Sequence, residues 1–172
     1  MGAQFQKVSE EQFLKDLEDS QNLNMDDPVV RHNAIFAYER LVSLPKRSTS
    51  GSAGYDFVSP IAFKVDPGEK VIVPTGIRVQ MSDFLVLKVY PRSGLGFRYQ
   101  MGLANTVGII DSDYYWSENE GHIMIAVENR GKRTINIGGG DRFAQGIFVP
   151  FIVTDDDNAK EKRNGGMGST GY

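Results

Sequence analysis

The sequence breaks, from about residue 34 onward, into short apolar runs rich in β-formers, each ended by glycine or proline. Of its 19 glycines, 18 lie after residue 50. The runs are Ile35-Phe36-Ala37-Tyr38, Lys70-Val71-Ile72-Val73, Gly76-Ile77-Arg78-Val79-Gln80, Phe84 through Tyr90, His122 through Val127, Thr134 through Ile137 and Gly146 through Val149. Between them stand turn signals such as Pro67-Gly68, Pro74, Pro91 and Asn129-Arg130-Gly131-Lys132. Many short strands at roughly regular spacing predict an all-β jelly roll, sandwich or barrel, and no long helical period interrupts them. The 172 residues suit a single domain.

Two ends depart from this pattern. Residues 1–30 hold seven acids against Lys7 and Lys15, a net −5, while the remaining 17 bases and 15 acids give +2. In residues 9–20, Ser9 and Gln12 have capping-box spacing, and Phe13, Leu14 and Leu17 share one helical face. Met25-Asp26-Asp27-Pro28 reads as a break, so residues 1–28 form a helical extension and 29–154 the β core. Residues 155–172 contain little that could be buried and read as a flexible arm.

Composition excludes several chemistries. With no cysteine there is no disulfide, thiolate zinc site or thiol nucleophile, and two histidines, His32 and His122, make a His-rich metal site improbable. No basic patch points to nucleic acid. No apolar run spans a membrane and no signal peptide is visible, so the expected location is the cytoplasm.

Five glycine-bearing polar segments interrupt the strands: Ala53-Gly54-Tyr55-Asp56; Pro91 through Gly96; Asn105 through Tyr114; Gly140-Asp141-Arg142-Phe143-Ala144-Gln145; and Arg163 through Gly171. Singly, each is ordinary turn chemistry. The last lacks the lysine and following helix of a phosphate loop. Together they supply forked donors (Arg92, Arg142, Arg163), hydroxyls (Ser93, Ser169, Thr170) and carboxylates (Asp56, Asp111, Asp113). That inventory suits a phosphorylated substrate with Mg²⁺, where positioning and charge neutralisation outweigh covalent catalysis.

In order, these five segments closely resemble the five motifs of the trimeric dUTP diphosphatases. The resemblance covers about residues 35–172, and the 116–121 insertion resembles that of streptococcal and related Gram-positive or phage members. It implies a jelly-roll, barrel-like fold, a homotrimer with interfacial sites, and Mg²⁺-dependent hydrolysis of dUTP to dUMP and pyrophosphate.

Carried onto this sequence, the resemblance makes Asp111 the base that activates water for attack on the α-phosphorus. Tyr114 lies under the deoxyribose. Asn105, with backbone groups from Gly108, Ile109, Ile110 and near Met124, reads uracil. Arg92, Ser93, Gly94 and Gln145 cradle phosphates, and Asp56 holds a metal-bound water. Arg142 either joins them or pairs with an acid across a subunit interface. The C-terminal arm closes as a lid, with Arg163 as a finger on the γ-phosphate, Lys162 its rival, and Gly168 and Ser169 beside it. Met167 stands where the family usually has an aromatic over the base. His122 and Trp116 read as structural or surface residues. Two other functions compete. One is a dCTP deaminase, or a bifunctional relative, on the same fold; it needs a catalytic glutamate near the hairpin strand, for which Glu120-Gly121 could be mistaken, but Ile110 through Tyr114 match the diphosphatase. The other is a phage-type regulatory protein that binds a repressor through 1–28 or 116–121.

Overall fold

A computed structural model describes residues 2–161. Twelve strands and three short helices follow in the order β1 (Ala3–Lys7), α1 (Glu10–Gln21), α2 (Pro28–Arg40), β2 (Lys46–Arg47), β3 (Tyr55–Val58), β4 (Phe63–Val65), β5 (Lys70–Pro74), β6 (Ile77–Met81) and β7 (Leu85–Pro91). Then come α3 (Ser93–Tyr99), β8 (Met101–Leu103), β9 (Gly108–Ile110), a 3₁₀ turn (Ser112–Trp116), β10 (Met124–Asn129), β11 (Ile135–Ile137) and β12 (Arg142–Pro150). The largest sheet runs β2-β3-β12-β7-β9; β5-β10-β8 form a second; β1-β6 and β4-β11 are two-stranded ribbons. Every pairing among them is antiparallel. The fold is thus jelly-roll-like and mostly β, without closing into a barrel.

Alternation sets the core. β6 buries Ile77, Val79 and Met81 while Arg78 and Gln80, on the other face, are half-buried, and β10 buries Ile125, Val127 and Asn129. Phe57, Leu87, Phe143 and Ala144 fill the space behind the largest sheet. A register shift at Phe143 bulges β12 against β3. The bulge sends Phe143 inward, edge-on to Phe63 at 5.8 Å.

The N-terminal region is built into this body. β1 pairs along the whole of β6, and Phe5 packs against Tyr55, Phe57 and Phe148 at 5.4–5.8 Å between ring centres. Helix α1 starts as its sequence signals: Ser9 Oγ accepts from Gln12 N at 3.1 Å, and Phe13, Leu14 and Leu17 are buried. The reciprocal bond of the capping box comes from elsewhere. Glu120, 111 residues away, accepts from both Ser9 N and Ser9 Oγ, at 2.8 and 2.7 Å.

Three expectations are corrected. Ile35-Phe36-Ala37-Tyr38 is not a strand; it lies in α2. Asp27 accepts from Val29 N and Val30 N and Pro28 takes the first turn, so the supposed break is a helix start. The segment after Pro91 is not simply a polar turn but the short helix α3, which ends at Gln100 with φ 57°. Residues 157–161 have no regular structure. The lid residues Lys162, Arg163, Met167, Gly168 and Ser169 lie outside the described residues.

Candidate active site

Two neighbouring arrangements collect the remaining candidates. The first is a cleft of about 460 Å³ between β9, β10 and the loop joining β8 to β9. Asn105, Gly108, Ile109, Ile110, Tyr114 and Met124 all line it, joined by Val89, Ala104 and Ile123 through Ala126. Strand pairing explains the opening. β8 meets only Val127, Glu128 and Asn129 of β10. After Ala104 N donates to Ala126 O, at 2.9 Å, the chain leaves β10 and crosses to β7. The Met124 end of β10 therefore pairs with β5 on one side and borders the cleft on the other.

The turn between β8 and β9 is tight. Thr106 sits at φ 66°, a left-handed conformation that costs a β-branched residue about 1–2 kcal/mol. Asn105 is presented at this tip, exposed. Gly108 lies against Val89, where an added Cβ would come within 3.1 Å of the Val89 Cβ.

Tyr114 is buried on the floor of the cleft and its hydroxyl is spoken for. It donates to His122 O at 2.8 Å and receives Asn119 Nδ2 at 2.9 Å. Asp111 is exposed at the end of β9, where the 3₁₀ turn begins, and its side chain makes no capping bond to that turn.

The second arrangement is an ion-pair cluster around Asp56. Its Oδ1 forms an ion pair with Arg92 Nε at 3.0 Å; its Oδ2 accepts from Arg142 Nη1 at 3.1 Å and from Ser48 Oγ at 2.8 Å. The Asp56 side chain is 11% exposed, against 35% for Arg92 and 50% for Arg142. The β12 bulge supports the cluster, because Phe143 O there holds Arg92 N at 3.2 Å. Arg142 thus pairs with an acid of its own chain.

Gln145 pairs with Asp56 on one side and Tyr90 on the other, and its Nε2 donates to Pro91 O at 3.2 Å. Ser93 and Gly94 are exposed in the first turn of α3. β7 links the two arrangements. Val89 lines the cleft, and Arg92 follows three residues on, about 10 Å at strand rise.

Two features were not legible in the sequence. Ser48 has no signal as a partner of Asp56. Around Met124, which the resemblance singles out, the cleft-wall residues Ile123, Ile125 and Ala126 read as a plain strand. His122, expected to be structural, is fully buried and bonded to Asp16, while Trp116 is exposed. Glu120 does not line the cleft; both its oxygens hold Ser9 in the extension. Among the described residues no three acids or histidines gather as a metal site, and no helix is long and apolar enough to cross a membrane.

Comparison with known proteins agrees on one family. The dUTPase family model matches residues 40–171. The deoxyuridine 5'-triphosphate nucleotidohydrolase of Lactococcus lactis subsp. lactis is 42% identical over 133 residues, 76% of this chain and 89% of that protein. The crystal structure of the Streptococcus mutans dUTPase is 38% identical, with TM-score 0.59 over 64% of this chain and 88% of that one. A mutant dUTPase from phage phi11 of S. aureus, described as coordinating a structural Mg(II) ion, shares the fold at 23% identity and TM-score 0.58, over 71% of this chain and 95% of that one.

Proposed function

The chain belongs to the dUTPase family, and from that premise we propose that it hydrolyses dUTP to dUMP and pyrophosphate in the two-part site around β7. The observation that carries this reading is the single cleft that gathers Asn105, Gly108, Ile109, Ile110, Tyr114 and Met124. In it, uracil meets backbone donors and acceptors along β9 and the open end of β10, with Asn105 at the rim. Cytosine presents a different pattern and leaves buried groups unpaired, which is a strong basis for rejection. Tyr114 lies under the deoxyribose. Its hydroxyl is held by His122 O and Asn119, so the ring stays in place and leaves no space for a 2′-hydroxyl.

The triphosphate runs along β7 toward Arg92. Asp56 meets this side chain at Nε, and the two terminal nitrogens are the fork that meets phosphate oxygens. Ser93, Gly94 and Gln145 complete the cradle. Asp111, exposed at the end of β9, orients a water and takes its proton as the water attacks the α-phosphorus. Pyrophosphate leaves along the Arg92 side. Arg163, Gly168 and Ser169, with Met167 over the base, complete the site from the C-terminal arm.

The residues present fit a Mg²⁺ held mainly by the triphosphate. Such an ion keeps several waters, and the Asp56 carboxylate is the acceptor for one of them. When bound, the ion neutralises charge developing on the phosphates. Three chains assemble into a cytoplasmic homotrimer, which brings the arm of one subunit to the site of another.

The deciding experiment is pyrophosphate release from dUTP, dTTP, dCTP and UTP, with and without Mg²⁺. Release from dUTP alone, dependent on the ion, supports the assignment. Equal release from UTP would contradict the role of Tyr114, and ammonia release from dCTP would contradict the reaction.

A further inference from the structure

The strongest unexplained feature outside the site is a buried acid–imidazole pair that joins the N-terminal extension to the cleft. His122 has no exposed surface, and its Nδ1 lies 2.6 Å from Asp16 Oδ2 on α1. Its Nε2 accepts from Gly76 N at 2.8 Å, in the turn between β5 and β6. An imidazole nitrogen that accepts an N–H carries no proton, so the ring is neutral and its Nδ1–H donates to Asp16. Burial works against the Asp16 charge, but hydrogen bonds from His122 and Gln12 outweigh it and hold this carboxyl below its ordinary pKa. The ring is therefore gripped from two sides, once by the body and once by α1.

The same residue meets two parts of the cleft. Its carbonyl accepts from the Tyr114 hydroxyl at 2.8 Å, and the next two residues, Ile123 and Met124, line its wall. Because the ring is bonded at both nitrogens and has no exposed surface, it has little room to rotate, so a shift imposed on it is passed to the His122 backbone that holds Tyr114 and leads into β10. Helix α1 is itself fixed nearby, by Glu120 at Ser9 and by Gln21 Nε2, which donates to Ile72 O at 2.6 Å. No part of this chain of contacts comes from the five motif segments except Tyr114.

We propose that Asp16 is a positioning residue for the nucleotide site: through His122 it sets the placement of the Tyr114 ring against the sugar and so sharpens rejection of ribose. The proposal rests on the reading of this cleft as the base and sugar site.

The test measures kcat and KM for dUTP and UTP on the full chain. Misplacement by a fraction of an ångström at a positioning group is worth about tenfold. Asp16→Ala is therefore expected to raise KM for dUTP and to lower the dUTP/UTP ratio of kcat/KM by about that factor. Asp16→Asn, which still presents an oxygen to Nδ1–H, should restore the ratio to within about threefold of wild type. Asp16→Glu keeps the charge but moves the carboxylate by one methylene. It should lower the ratio by about threefold or more even where the alanine variant is poorly folded.

Asp27→Ala is the control. It removes the cap of α2 without touching His122, so it should cost stability and leave the ratio unchanged. A wild-type enzyme that prefers dUTP, with an unchanged ratio in Asp16→Ala and Asp16→Glu, overturns this proposal alone. Equal loss in Asp27→Ala overturns it as well, because general destabilisation then explains the effect. A wild-type enzyme that does not prefer dUTP to UTP overturns the cleft reading and this proposal together.

Discussion

Replacing Asp56 by alanine tests whether the site's cations are held by a structural hub. The carboxylate is 11% exposed and serves Arg92, Arg142 and Ser48 at 2.8–3.1 Å. Removing one member of a buried ion pair costs about 3–5 kcal/mol, because a charge is left uncompensated. Here both guanidinium groups are partly solvated, at 35% and 50% exposure, and recover much of that by turning to water. The remaining loss is about 2 kcal/mol. For a chain of this length it lowers Tm by about 4–8 °C. The assay is thermal unfolding at fixed protein concentration, because subunit association also shifts Tm. A fall smaller than about 1 °C would refute the hub. So would a fall abolished by about 0.5 M salt, since screening acts on exposed pairs and little on this one. The kinetic arm is equally direct. Without Asp56, Arg92 loses its tether at Nε, and kcat/KM for dUTP should drop even at saturating Mg²⁺.

Asp111→Asn should leave dUTP binding near wild type and cut turnover by about 10²–10⁴-fold, read by calorimetry and pyrophosphate release; retained turnover removes Asp111 as the base. Gly121→Ala should cost about 2–4 kcal/mol in urea unfolding, because φ there is 70° and a Cβ would meet Tyr115 Cα at 2.7 Å and Tyr114 O at 2.8 Å. An unchanged midpoint contradicts that packing. The Asp16 carboxyl, held below its ordinary value of 3.8, adds stability above that value and loses it as pH falls through the lower folded-state value. The stability gap between wild type and Asp16→Ala, measured in urea, should therefore be full near neutral pH and shrink below 3.8; a gap independent of pH would count against an ionised Asp16.

The strands were legible where alternation and glycine punctuation agree. β5, β6, β7, β10, β11 and β12 all stand within a few residues of the apolar runs that announced them. Helix α2 was not, for a physical reason. Its apolar residues lie on both sides, with Ala34 and Ala37 buried and Val29 and Phe36 exposed, so no stripe of helical period exists to be read. Ile35 and Phe36 favour strands by propensity, and the start signal Asp27-Pro28 was mistaken for a stop. α3 was hidden by Gly94 and Gly96, poor helix formers that its short length tolerates. β1 carries too little apolar pattern to announce itself; its partner β6, 70 residues on, defines it.

For the site, the motif segments located the cleft because a backbone-reading pocket needs particular residues at particular turns. The anchoring pairs Asp16–His122 and Ser9–Glu120 span more than 100 residues of sequence and leave no local trace.

The pairing of β1 with β6 also bears on how a shortened form of this protein would behave in solution. Residues 3–7 shield five consecutive backbone positions of β6, from Ile77 to Met81. Removing them would bare a strand edge that already alternates apolar and polar side chains, a ready template for another chain. The consequence is then self-association through β6 as well as lost stability. In that sense the first seven residues work as a built-in guard against aggregation, and a fusion or cleavage at this end is better placed ahead of Ala3 than within the strand.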